Sequence, residues 1–204
     1  MWGVLVPNNK RALTLIELLI AMAISIVVSG VILAILVSSW RADIAQTAYL
    51  DLQQKSRTAV DEISSTIKVS SGVVTSHTAG GTTYTTSSTE LVLKTPAIDD
   101  SLNILTGTDY YVFRRNPITA TILERIIVAD PASSRTTIAS PVTLNDVTGA
   151  LTFTYHDSAG ATITPGVGDV TTSTAVKVVV DSRKTVQGRT LSRIIDNFVY
   201  LRNR

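Results

Sequence analysis

The chain has 204 residues, with 18 Lys and Arg against 16 Asp and Glu, and no cysteine. The missing cysteines exclude disulfides and thiolate chemistry, and the near-balanced charge gives no general pull toward nucleic acid. The length leaves room for one long helical segment and one globular core.

Residues 1–12 read as a short leader. Pro7, Asn8 and Asn9 precede the basic pair Lys10 and Arg11, and the apolar stretch from Met1 to Val6 is too short to span a membrane. From Ala12 to Val37 run 26 residues whose sole ionisable side chain is Glu17. At ~1.5 Å per residue this is about 39 Å of helix, enough to cross a hydrocarbon core of ~30 Å. Residues 13–39 therefore predict a transmembrane helix, and the cations on its N-terminal flank orient that end to the cytoplasm and the rest of the chain outside it. A carboxylate inside such a helix costs roughly 2.5–3.5 kcal/mol near the bilayer centre, so Glu17 requires a partner. Ser25, Ser29 and Gly30 permit close helix approach and read as core-packing or lipid-contact positions; Gly30 weakens the helix by about 1 kcal/mol, but the run has no proline to favour local melting. Trp40 and Arg41 fall where an interfacial anchor belongs.

Residues 40–71 continue the helix in amphipathic form. Ile44, Ala48, Leu52, Ala59, Ile63 and Ile67 recur at helical spacings, with Asp43, Asp51, Lys55, Arg57, Asp61 and Glu62 on other faces. The helix is predicted to end near Ser70-Ser71-Gly72, with Gly72 as a left-handed cap.

From residue 72 to 204 the pattern becomes β. Segments 73–77 and 82–86 flank a Gly80-Gly81 turn, 91–93 precedes Pro96, and 110–115 pairs with 121–128 across Asn116-Pro117. After a Ser/Thr-rich loop, Leu151, Phe153 and Tyr155 alternate with threonines and His156. Further strands are predicted at 161–164, 174–181 and 190–202. The fold class is therefore α+β: a long N-terminal helix, membrane-spanning in its first half, packed on an antiparallel sheet.

The stretch Lys10-Arg11-Ala12-Leu13-Thr14-Leu15-Ile16-Glu17-Leu18-Leu19 resembles the processing site and mature N-terminus of the type IV pilin superfamily, which includes minor pilins and type II secretion pseudopilins. The helix-then-sheet order agrees. The sequences YYVFRRNPITATILERI and LTFTYHDSAGA and the ending FVYLRN look like the larger minor pilins and the J-type pseudopilin.

The resemblance implies leader recognition at Lys10 and Arg11, cleavage by a prepilin peptidase between Ala12 and Leu13, and N-methylation of Leu13. Ala12 stands where the family usually has glycine, and Leu13 where it has phenylalanine. Loss of Lys10 and Arg11 with the leader would leave 16 basic against 16 acidic residues. Glu17 becomes the fifth residue of the mature chain. There it meets the α-ammonium of a neighbouring subunit during filament assembly, or alternatively is satisfied within its own chain near the positive end of the helix dipole. The implied partners are the peptidase, other minor and major pilins or pseudopilins, the assembly platform with its ATPase, and the membrane. The implied role is a structural, non-enzymatic subunit that initiates or lies near the tip of a pilus or pseudopilus.

Other chemistry finds little footing. No cofactor motif, P-loop, HExxH or zinc-spaced cluster occurs. His77 and His156 lie in strand-like stretches, better suited to a surface than to a catalytic triad. Asp99, Asp100, Ser101 and Asn103 lack a full calcium-loop pattern and read as a solvated loop. Arg183, Lys184, Arg189, Arg193, Arg202 and Arg204 leave a nucleic-acid partner open, as in a competence pseudopilus taking up DNA, although solvated strand edges explain them more simply. The rival readings are a membrane-anchored extracytoplasmic binding domain with an uncleaved helix, and a domain released by cleavage near Val37-Ser38-Ser39. The state of the N-terminus distinguishes them.

Overall fold

The computed structural model describes residues 14–98, 103–129 and 141–202. The chain forms two compact units, Met1–Gln46 and Thr47–Arg204. Helix α1, Leu15–Val69, begins in the first and ends in the second. The strands, all in the second unit, are β1 Gly72–Val73, β2 Ser76–Ala79, β3 Thr82–Thr85, β4 Glu90–Ile98, β5 Ile104–Arg115, β6 Leu123–Val128, β7 Val142–Asn145, β8 Thr148–His156, β9 Thr162–Ile163, β10 Ala175–Val186 and β11 Arg189–Tyr200. They make two larger antiparallel sheets, ordered β1-β4-β5-β6-β7 and β11-β10-β8-β9, and the hairpin β2-β3. This is the α+β, pilin-like arrangement that the sequence predicts.

In the second unit the stripe of α1 is buried as its spacing requires. Leu52, Ala59, Ile63 and Ile67 are each fully buried. Ala59, Val60, Ile63 and Ile67 join Leu91, Leu93 and Phe113 of the first sheet and Leu151, Phe153, Tyr155, Val176, Val178, Val180 and Val199 of the second in one core. The other face of the first sheet carries Val92, Val112, Ile126 and Val128, covered by Tyr84 of the β2-β3 hairpin. That sheet is therefore buried on both faces. The Tyr155 hydroxyl reaches the Ser87 carbonyl at 2.8 Å, which satisfies its one donor, and burial pushes its pKa up.

The chain corrects several predicted boundaries. Gly72 is not a left-handed cap: its φ of 158° places it at the start of β1, and Ser70 closes the helix instead, its N–H on the Thr66 carbonyl at 3.0 Å and its hydroxyl on Ile67 at 2.8 Å. Gly80 and Gly81 do form the hairpin turn, at φ 57° and 77°, but the flanking strands sit tighter on it, at Ser76–Ala79 and Thr82–Thr85. β4 runs through Pro96, which is accommodated beside a register shift between Pro96 and Ile98. β10 continues past Asp181 to Val186 and turns at Gln187-Gly188, φ 50° and 75°, straight into β11. The polar run Ser182-Arg183-Lys184 hides that extension. β7 lies in a stretch predicted as a loop.

Candidate membrane and assembly site

The first unit is defined by what it leaves uncovered. Sixteen large apolar side chains between Leu15 and Val37 are exposed, from 44% at Val37 to 79% at Leu15. Burying a side chain of this kind stabilises by ~1.5–3 kcal/mol, so the segment forgoes on the order of tens of kcal/mol in water. A bilayer or apolar protein surface must cover it. α1 is long and apolar enough to cross a membrane, and none of its most apolar window is buried within the chain. Gly30 remains helical, and a Cβ added there would meet nothing within 4 Å among the described residues. Trp40 is 68% exposed.

At the head of this helix Thr14 and Glu17 form a reciprocal cap. The Thr14 N–H and hydroxyl both donate to Glu17 Oε2, at 2.9 and 3.0 Å, while the Glu17 N–H donates to Thr14 Oγ1 at 3.3 Å. The Thr-x-x-Glu spacing is a capping box: it satisfies backbone N–H groups that the first helical turn cannot pair, and it places a carboxylate at the positive end of the helix. Thr14 is thus a site residue that sequence reasoning missed, although the spacing was legible. Among the described residues, the partner of Glu17 is Thr14. Lys10, Arg11, Ala12 and Leu13 lie outside the described residues.

The remaining candidates fall elsewhere. Asp99, Asp100 and Ser101 are outside the described residues, and among those described no group of three or more His, Asp or Glu side chains is placed to hold a metal. His77 stacks on Tyr110 with ring centroids 3.6 Å apart, and His156 tilts against Phe198 at 5.0 Å. The C-terminal cations are not one patch. Arg183 is held by Asp181 at 2.6 Å, Lys184 by Asp51 at 2.9 Å, and Arg193 donates to the Tyr49 hydroxyl at 3.1 Å. Arg204 is outside the described residues.

A long apolar helix headed by a single capped carboxylate and followed by a sheet-built unit is the form of a membrane-anchored pilin. The family comparison agrees: the prokaryotic N-terminal methylation motif matches residues 7–38, spanning the basic pair, Glu17 and the apolar run. That motif marks type IV pilin and pseudopilin family proteins, which are processed by prepilin peptidase, assemble with other pilins, and are structural rather than catalytic. No curated protein matches the chain significantly.

Proposed function

We propose that this chain is a minor pilin or pseudopilin, stored in the cytoplasmic membrane and incorporated into a filament as an initiating or near-tip subunit. Residues 1–12 are the leader, recognised through Lys10 and Arg11. The peptidase cuts between Ala12 and Leu13, and Leu13 is then N-methylated. Residues 13–39 span the membrane and later line the filament, residues 40–71 carry the helix into the globular part, and residues 72–204 lie outside the cytoplasm. An assembly platform with its ATPase withdraws the subunit from the bilayer. Glu17 meets the α-ammonium of a neighbouring Leu13 during assembly, which offsets the cost of burying its charge.

The observation that carries this reading is the methylation motif at residues 7–38 on a helix whose large apolar side chains from Leu15 to Val37 are exposed. The test is the mass of the N-terminal peptide of protein purified from cells containing the peptidase. A methylated peptide starting at Leu13 is the expected result. A chain still carrying its leader in assembly-competent cells overturns the reading and favours an anchored binding domain.

A further inference from the structure

In the second unit, Arg193 of β11 faces α1. Its Nη1 donates to the Tyr49 hydroxyl and its guanidinium lies over that ring, 5.9 Å from the centroid. Its Nε is buried and has no acceptor among the described residues. A buried donor left unsatisfied costs about 1–3 kcal/mol, and more when the group is charged. Arg193 lines a pocket of about 250 Å³ together with Gln53 and Arg57 of α1 and Ile194, Ile195 and Asp196 of β11.

Gln53 and Arg57 are four residues apart and so share one helix face. Arg57 is exposed, with no acidic partner among the described residues. The one acid on the pocket wall, Asp196, is engaged by Lys177 at 3.0 Å. The pocket therefore presents two guanidinium groups and a carboxamide, and its own carboxylate is paired with Lys177. Guanidinium forks match the two oxygens of a carboxylate, and such charge-assisted bonds are roughly twice as strong as neutral ones.

Two features choose among anionic ligands. Arg183 and Lys184 are tied to Asp181 and Asp51, so no run of available cations continues along β10 to track a phosphate backbone. Ile195, two positions from Arg193 and so on the same face of β11, gives the pocket an apolar wall. The volume lies below the ~300–1,000 Å³ usual for small-molecule sites and suits a single side chain.

We propose that Gln53, Arg57 and Arg193 form a carboxylate-binding pocket that receives an acidic side chain from a partner protein, with Ile195 packing beside it. The pocket lies wholly in the second unit. The test uses the full chain in detergent micelles, labelled with nitrogen-15, and follows the arginine Nε–H resonances. The probes are the blocked peptide acetyl-Ile-Glu-Ile-amide, its isostere acetyl-Ile-Gln-Ile-amide, and a short DNA duplex.

The expected result is a saturable shift of the Arg193 Nε–H with the glutamate peptide and none with the glutamine peptide. Arg57→Gln is expected to weaken binding roughly tenfold or more without changing thermal unfolding, because Arg57 is exposed. Arg193→Lys keeps the charge, loses the fork, and is expected to weaken the same peptide. Equal responses to the two peptides, no saturation, unchanged affinity in Arg57→Gln, or saturation by the duplex alone would each overturn the proposal.

Discussion

Replacing Arg114 with methionine tests how the first sheet tolerates its buried charges. Glu90, Arg114 and Glu124 stand directly across from one another on β4, β5 and β6. Glu124 is 2% exposed; it accepts from Arg114 Nε at 2.8 Å and from Asn116 Nδ2 at 2.9 Å. The Arg114 guanidinium also lies 5.3 Å from the centre of the Tyr84 ring, so it helps hold the β2-β3 hairpin. Methionine keeps much of the aliphatic stem and removes the charge, leaving Glu124 buried with the Asn116 amide alone. Stranding one partner of a buried pair costs about 3–5 kcal/mol, a large share of the ~5–15 kcal/mol of a typical domain. At ~2–4 °C per kcal/mol for a unit of this size, the midpoint should fall by about 6–20 °C. The assay is thermal unfolding of the full chain in detergent, followed by the near-ultraviolet signal of its six tyrosines, all of which lie in the second unit. Adding Glu124→Gln should restore part of the loss, because the stranded charge is then gone. A loss below about 1 kcal/mol for Arg114→Met would refute the reasoning, since only a well-solvated pair is worth so little.

Burial drives the pKa of His77, stacked on Tyr110, below its ordinary value. Protonation therefore favours the unfolded chain, and stability should fall as pH drops below about 6.5 toward the folded-state value; in His77→Phe this part of the acid sensitivity should vanish from unfolding curves at a series of pH values. The Lys184 hydrogen bond holds the Asp51 carboxyl below its usual range, so its contribution is present above about 3.9 and is lost as pH falls through the lower folded value. Both groups are a third or more exposed, so Lys184→Gln should cost no more than about 1 kcal/mol, shrinking further in salt; denaturant titrations at two ionic strengths measure it. Thr14→Ala removes the hydroxyl from the helix cap and should cost about 0.5–2 kcal/mol locally, read as faster amide exchange confined to the first turn of α1. Ile63→Ala, at a fully buried position in the helix stripe, should cost about 2–5 kcal/mol by the same tyrosine signal.

Much was legible where a rule is local. Helical spacing of Leu52, Ala59, Ile63 and Ile67 marked the face that is buried, and alternation at Leu151, Phe153 and Tyr155 marked an inward strand face. The Gly80-Gly81 pair announced its turn because only backbones tolerant of positive φ make one so tight. Reading failed where a distant partner decides. The polar residues Ser182 to Lys184 form strand because β8 and β11 supply ladder partners and Ser56, Asp181 and Asp51 take their side chains. Nor could local pattern bury Glu124, which survives in the core through an arginine on one neighbouring strand and an asparagine beyond it.

The sequence alone determined that residues 12–37 need an apolar surrounding, that a lone glutamate sits near the head of that helix, and that a β-rich unit follows. Each is a matter of composition or of a period spanning a few residues, which the chain carries whatever it later touches. Only the tertiary structure decided which charges are neutralised and which are left with a free donor. Arg57 and Arg193 are 136 positions apart, and they share a pocket because α1 packs on the sheet that carries β11. Lys184, five positions after Val179 in the same strand, is consumed by Asp51 instead. Ion pairing depends on distances of a few ångströms across packed elements, and no local pattern encodes those distances.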